Sequence, residues 1–257
     1  MMRCVERIAI FAALHWECRA VVRQLRQVER DRVGSFARWR GRAAGHEVWV
    51  VKTGVGIERA AAATSACGDL QGVALVVSTG CGGGIASELN PGDLVVATGV
   101  LAERGVPLLP TDAHRRAEAM RAAAAAGLRG LEGPILCSAS ALTNAPSKRA
   151  AAADGAVAVE MESVPIAARA AAAQVPFLSV RAILDGAEHH LLPDAVMNPD
   201  SGGVRPLALA RYVATHPSML IELRELQQMQ RAASRSLERF FAAWFAALDA
   251  FPHTGTA

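Results

Sequence analysis

Short apolar runs alternate along the chain with alanine-rich stretches, and this alternation restricts the fold more than any other feature. The apolar runs cover residues 8–14, 48–51, 73–78, 94–97, 157–159 and 177–184, and the alanine-rich stretches cover 59–70, 113–126 and 163–173. Continuous apolar runs are typical of strands buried on both faces, and alanine-rich helices pack closely on a sheet. The sequence therefore predicts a three-layer α/β sandwich.

The last third of the chain has a different composition. Residues 191–203 are rich in Pro, Asn, Ser and Gly, which predicts an inserted segment over about 191–219. Apolar residues then recur at helical spacing and predict one long helix over about 219–250. Its four clustered aromatic residues favour docking on the core or on a second subunit, and a lipid-facing or partner-facing surface is the alternative. At 257 residues the chain is expected to form a single domain, 1–257.

Composition excludes several classes of function. The net charge is only +3, and the arginines form no basic stripe, so we expect no nucleic-acid partner. Five scattered cysteines without a CxxC pair indicate free thiols in a reducing compartment, and the protein is predicted to be cytoplasmic. His189 and His190 adjoin Glu188, but adjacent side chains diverge, so a loop or a substrate contact is favoured over a metal site. We predict no metal.

Two glycine-rich segments follow predicted strands. GCGGG spans residues 80–84, and GVG spans 54–56. Neither completes a dinucleotide-binding fingerprint, because Ile85 and Arg59 stand where its third glycine belongs. Both predict tight turns, the first at the start of a helix, where backbone amides can approach an anion or a ribose.

Acidic residues follow three of the apolar runs. Glu17 follows the first, Glu160 and Glu162 flank Met161 after 157–159, and Asp185 ends the last. An acid in the first turn of a helix can have a purely structural role, because its charge complements the helix dipole. For Glu160 or Glu162 taken alone, this structural interpretation is as good as a functional one. Together the acids are expected to converge at one sheet edge. Partly desolvated acids can differ in protonation, as general acid catalysis requires.

Five segments carry a resemblance to the purine nucleoside phosphorylase and nucleosidase superfamily. They are AVEMES (158–163), SVRAILDGA (179–187), STGCGGGIASELNPGDLVVAT (78–98), KTGVGIERAAAAT (52–64) and IAIFAALHWECRAV (8–21). The last resembles the methylthioadenosine/S-adenosylhomocysteine nucleosidase branch. The resemblance implies a nucleoside phosphorylase-like fold with a central mixed, twisted sheet flanked by helices. It also implies a homo-oligomer, expected to be a dimer, and no cofactor.

The resemblance also implies roles for the acids. Asp185 falls on the acid that protonates or hydrogen-bonds purine N7, and burial is expected to favour its protonated form. Glu162 falls on the acid that holds the ribose hydroxyls, with Met161 under the sugar and Glu160 beside it. Glu17 falls on the acid that positions the hydrolytic water.

The glycine-rich segment departs from the pattern of the phosphorylases. Cys81, Gly82 and Gly83 fall on the part that faces the water or phosphate, and Cys81 replaces the usual serine or threonine. The arginine that binds phosphate in phosphorylases is missing from residues 77–79. With Glu17 present, hydrolysis is favoured, but phosphorolysis with inorganic phosphate as co-substrate stays open.

The extended C-terminal region resembles the hopanoid-associated branch of the superfamily. This implies a nucleoside with a bulky 5′ group, adenosylhopane, with His189 and His190 at the entrance to a 5′-side pocket, adenine as product, and transient membrane contact. The alternatives are a methylthioadenosine/S-adenosylhomocysteine nucleosidase, a purine nucleoside phosphorylase, or a nucleoside-binding module without turnover. Retention of three acids argues against the last.

Overall fold

The computed structural model describes residues 6–102, 107–140, 142, 145–187 and 219–250. The strands are β1 (Arg7–Ala12), β2 (Arg26–Val33), β3 (Phe36–Ala43), β4 (His46–Lys52), β5 (Val73–Gly84), β6 (Leu94–Leu101), β7 (Leu109–Pro110), β8 (Gly130–Cys137), β9 (Ala158–Glu160) and β10 (Phe177–Asp185). The helices are α1 (His15–Val22), α2 (Ile57–Ala66), α3 (Ala113–Ala125), α4 (Ala145–Ala152), α5 (Ser163–Ala172) and α6 (Met219–Ala250).

The ten strands form one mixed sheet, in which nine follow the order β10-β6-β8-β9-β5-β1-β4-β3-β2 and β7 pairs with β6. Strand β1 is parallel to both β4 and β5, whereas β10 is parallel to β5 and antiparallel to β6. Because β10 also pairs with β5, five strands (β5, β10, β6, β8 and β9) close into a ring. In this ring Asp185 lies opposite Gly83, so the acidic end of β10 adjoins the glycine-rich end of β5.

Helices cover both faces of the sheet. Side chains alternate across a strand, so Ile10 of β1 packs toward α1, α3 and α6, while its neighbour Phe11 packs toward α2 and α5. Strand β5 divides in the same way, with Val77 on the first face and Val76 on the second. The predicted three-layer α/β fold with a central mixed sheet is therefore confirmed.

Helix α6 spans Met219–Ala250 and is the last element of the chain that the structure describes. Its four clustered aromatic residues are buried and contact one another, with Phe240 stacked on Trp244 and Phe241 edge-on to both. Burial of each such side chain stabilises the fold by about 1.5–3 kcal/mol. These rings belong to the core that α6 shares with α1 and α3, so the lipid-facing interpretation is wrong for them. Among the described helices, none is long and apolar enough to cross a membrane.

The structure corrects the prediction for residues 80–84. These residues do not form a turn before a helix, because β5 continues through Gly84. Backbone pairing explains the difference: β10 pairs with β5 from Val76 to Gly83, and β9 pairs with Gly83 and Gly84. Residues 188–218, including His189, His190 and most of the predicted insertion, lie outside the described residues.

Candidate active site

All the buried charged side chains of the described residues gather around the ends of β5, β9 and β10. They are Glu17, Lys148, Glu160, Glu162, Arg181 and Asp185, each at most 8% exposed. A buried charge is costly unless it is paired or hydrogen-bonded. Concentration of all of them in one place is typical of a functional site.

Glu17 connects the first turn of α1 to β5. Its Oε2 accepts a hydrogen bond from the Leu14 amide at 2.8 Å, and its Oε1 accepts one from the Cys81 amide at 2.8 Å. Gly80 makes room for this carboxylate, since a Cβ there would lie 2.7 Å from Oε1, and its φ of 149° also favours glycine. The glycine-rich strand thus fixes the position of Glu17.

Burial affects the ionisation of both Glu17 and its neighbour Cys81. Burial raises the pKa of Glu17, and the two amide hydrogen bonds partly offset this. Burial also raises the pKa of the Cys81 thiol, and the negative charge of Glu17 adds to the effect. The thiol therefore stays protonated and can donate to Glu17, which preserves a polar contact where serine or threonine is usual.

Arg181 is the buried counter-charge of Glu160. Its Nη2 donates to Glu160 Oε2 at 2.5 Å, to Ser78 Oγ at 2.7 Å and to Ser163 Oγ at 2.9 Å. Burial opposes the charge of this guanidinium, but Glu160 and Glu162 outweigh that effect and raise the pKa of Arg181. An arginine within an apolar strand is thus explained by an acid on the neighbouring segment.

The carboxylate of Glu160 is directed at protein groups. Besides Arg181, it accepts hydrogen bonds from the Glu162 amide at 2.9 Å and from the Ser163 amide at 2.9 and 3.0 Å. These amides begin α5, and they would otherwise lack partners. In the structure Glu160 therefore supports Arg181 and the start of α5, and its direct contact with substrate stays a prediction.

Glu162 connects the start of α5 to the other glycine turn. Its Oε1 accepts a hydrogen bond from the Gly56 amide at 2.9 Å, while the adjacent Met161 is half-buried. Burial raises the pKa of Glu162 to about 8, and the charges of Glu160 and Glu17 act in the same direction. A carboxyl with this pKa is largely protonated near neutral pH.

Stability should therefore depend on pH through Glu162. Folding raises the pKa of Glu162 from 4.5 to about 8. Its contribution to the free energy of unfolding is therefore complete below pH 4.5 and is lost as the pH rises through 8. One such proton changes the unfolding free energy by about 1.4 kcal/mol per pH unit. Glu162→Gln should reduce the loss of stability between about pH 5 and pH 8, measured by denaturant titration. Equal slopes for wild type and variant would contradict this, and Glu58→Gln, an exposed acid on α2, is the matched control.

Asp185 meets a residue that the sequence analysis missed. The ammonium of Lys148, on α4, donates hydrogen bonds to Asp185 Oδ2 and to the Gly186 carbonyl, the latter at 2.6 Å. Both side chains of the pair are at most 2% exposed. An adjacent cation favours the ionised form of a carboxyl, which opposes the effect expected from burial alone.

The structure brings most of the predicted site residues together. Gly82 and Gly83 lie between β9 and β10, and a Cβ at Gly82 would lie 2.8 Å from the Val159 carbonyl oxygen. Two buried polar atoms nearby, Thr79 Oγ1 and Arg181 Nε, have no hydrogen-bond partner among the described residues. Each of these atoms can still form a hydrogen bond with a ligand or a water. Within the described ranges, no group of three or more His, Cys, Asp or Glu side chains could hold a metal ion.

Comparisons with known proteins agree with this geometry. Residues 7–201 match the phosphorylase superfamily. The chain is 30% identical over 198 residues to the 5′-methylthioadenosine/S-adenosylhomocysteine nucleosidase of Bacillus thuringiensis (strain Al Hakam), which covers 70% of this chain and 85% of the relative.

Two solved nucleosidases have the same fold. The enzyme from Colwellia psychrerythraea 34H, in complex with adenine, matches with a TM-score of 0.74 and 19% identity over 96% of this chain and 98% of its own. That from Neisseria meningitidis, in complex with methylthio-immucillin-A, matches with a TM-score of 0.73 and 20% identity over 96% and 100%. The predictions of a nucleoside phosphorylase-like fold and of an enzyme of the nucleosidase and phosphorylase class are confirmed. The chain belongs to the phosphorylase superfamily.

Proposed function

We propose that the protein is a purine nucleosidase that hydrolyses the N-glycosidic bond of a 5′-substituted adenosine and releases adenine. The observation that carries the proposal is the convergence of three buried acids from separate parts of the chain. Glu17 lies against β5, Glu162 against the turn at Gly56, and Asp185 beside Gly83. Binding alone does not need acids at all three places.

Each acid has a task in the reaction. As the C1′–N9 bond breaks, its electron pair leaves with the base, and Asp185 provides a proton to purine N7. Positive charge develops on the ribose, where Glu162 holds the hydroxyls and nearby carboxylates stabilise the cation. Glu17 accepts a proton from the water whose oxygen bonds to C1′. Proton transfer of this kind contributes about 10²–10⁴ in rate.

The charges around the site favour water over phosphate as the nucleophile. Four carboxyl groups surround it, and the two buried cations, Arg181 and Lys148, are already paired with Glu160 and Asp185. A phosphate dianion would meet acids without a free buried cation among the described residues, whereas a cationic transition state would be stabilised. Phosphorolysis is therefore the less favoured mechanism.

Two candidates remain for the 5′ group. Adenosylhopane is our first choice, because the chain has an extended segment after the acid of β10, as in the hopanoid-associated branch. A methylthioadenosine or S-adenosylhomocysteine substrate is the second, because the nucleosidase of Bacillus thuringiensis is 30% identical to the chain. With either substrate, a cytoplasmic homodimer is part of the proposal. Transient membrane contact belongs to the adenosylhopane proposal alone.

One assay tests the reaction, its nucleophile and the substrate. Purified protein is given adenosylhopane, methylthioadenosine, S-adenosylhomocysteine or adenosine, with and without phosphate, and adenine release and the mass of the sugar product are measured. We expect adenine and a free ribosyl product without phosphate, and the highest kcat/KM for adenosylhopane. A strict phosphate requirement with a sugar 1-phosphate product would overturn hydrolysis. Release of no adenine from any of the four would overturn the proposed function.

A further inference from the structure

The proposed reaction gives no task to Lys148, although this buried side chain contacts the acid that delivers a proton to the purine. It lies on α4, 37 residues before Asp185 in the chain, and its ammonium contacts both the Asp185 carboxylate and the Gly186 carbonyl. Only 1% of its side chain is exposed. A buried ion pair is weak evidence for stability, because well-packed apolar residues often do as well or better. Stability alone therefore does not explain why this pair is buried at the site.

The surroundings separate this pair from the other charges. Arg181, on the same strand as Asp185, is held by Glu160 of β9. Glu162 lies at the start of α5 against Gly56, and Glu17 lies on α1 against Cys81. On α4 itself, the neighbouring Arg149 is exposed. Of the buried cations of the described residues, Lys148 is therefore the one that contacts Asp185.

The contacts of the Lys148 ammonium suit it to hold a mobile proton. A lysine ammonium next to a carboxylate can pass a proton to it, whereas an arginine guanidinium stays charged. Its second contact, with Gly186, fixes the backbone immediately after Asp185. The ammonium is therefore anchored against the residue that faces the purine.

We propose that Lys148 is a positioning residue that acts through Asp185, and that the pair stores the proton delivered to purine N7. The inference rests on the proposed N-glycosidic cleavage. As the C1′–N9 bond breaks, the Lys148 ammonium passes a proton to the Asp185 carboxylate, which passes a proton on to N7. The lysine is left as a neutral amine beside a carboxylate, and adenine leaves with the proton. Water supplies the oxygen at C1′ and its proton goes to Glu17. Before the next turnover, Glu17 releases this proton to solvent and Lys148 is reprotonated from solvent.

Replacing Lys148 by methionine separates this role from a structural one. Without the ammonium, Asp185 can give a proton only while it is itself protonated, so activity should fall as the pH rises. We expect kcat for adenine release by Lys148→Met to be within a few-fold of wild type at about pH 5 and about 100-fold lower at pH 8. KM should change little. A ratio of wild-type kcat to variant kcat that is constant across this pH range would overturn the proposal.

Replacing Lys148 by arginine provides the opposite control. Arginine keeps the ion pair but does not give up a proton, so Asp185 is held as a carboxylate without a proton to deliver. We expect Lys148→Arg to have a lower kcat than Lys148→Met at about pH 5, with a melting temperature near that of wild type. If Lys148 were only a structural counter-charge, arginine would be the better replacement and the order would reverse.

Further comparisons keep the outcomes distinct. Arg149→Met removes an exposed cation from the same helix and should leave kcat and its pH profile unchanged. If Lys148→Met does not fold, the test relies on Lys148→Arg. Near-normal kcat in Lys148→Arg would then overturn the proposal. Wild-type protein that releases no adenine from any adenosine would instead be a failure of the proposed function.

Discussion

Asp185→Asn should lower kcat for adenine release by about 10²–10⁴ at every pH between about 5 and 9. The amide keeps the shape of the carboxyl and can still accept a hydrogen bond from Lys148, but it has no proton to transfer to N7. Removing one partner of a buried ion pair also destabilises a protein by about 3–5 kcal/mol. The rate should therefore be measured below the melting temperature of the variant, with circular dichroism to verify folding.

The double variant Asp185→Asn/Lys148→Met separates these two effects. It removes both charges, so stability should recover toward that of wild type while kcat stays low. Substantial recovery of adenine release in the double variant would mean that instability, and not the missing acid, limits Asp185→Asn. Near-normal turnover in the folded single variant would exclude Asp185 as the acid.

Glu17→Gln is the substitution with the next largest expected effect, also a loss of about 10²–10⁴ in kcat. The amide can still accept the hydrogen bonds from Leu14 or Cys81, but it cannot take a proton from the attacking water. Because Glu17 acts on the water and not on the nucleoside, KM should change much less than kcat. Initial rates of adenine release over a range of substrate concentrations measure both quantities.

Two further variants isolate the position of Glu17 from its charge. Gly80→Ala leaves the carboxylate intact but places a methyl group 2.7 Å from its Oε1, so it should also lower kcat. Arg19→Gln, an exposed change on the same helix, should have no effect. Full activity in Glu17→Gln would show that another group activates the water.

The acids of the site could be predicted because each one follows a buried strand. Glu17, Glu162 and Asp185 interrupt apolar sequence, and an acid in that position has little access to solvent. Helix α6 could be predicted because its apolar period is long and regular. In each case the signal lies within a short window of sequence.

The partners of those acids could not be predicted in the same way. Lys148 precedes Arg149 in an alanine-rich helix, where a lysine is ordinarily solvated, and nothing local indicates that it contacts a residue 37 positions away. Arg181 presented the same difficulty, because its partner Glu160 comes from a neighbouring segment. Such pairs depend on how the strands are ordered, which the apolar pattern does not specify.

Local sequence patterns also do not predict two regions of the secondary structure. Strands β2 and β3 carry so many arginine and acidic residues that their alternation is hidden, and most of β2 is exposed. The glycines of residues 80–84 predict a turn, because glycine usually marks one. In this fold, glycine instead lets β5 pass close to β9, β10 and the Glu17 carboxylate.

The ring of five strands has a consequence for when the protein becomes active. Its closure brings Ser78 to Arg181, which are 103 residues apart, and the site also needs Gly56 to meet Glu162 across 106 residues. Loops of this length are closed late, because their entropy is lost before the contacts that compensate for it are made. A nascent chain that ends before β10 contains strands β1 to β9 and helices α1 to α5, but it lacks Asp185 and helix α6. If Asp185 is the acid, as we propose, catalytic competence is acquired only after β10 has been synthesised and has paired with β5.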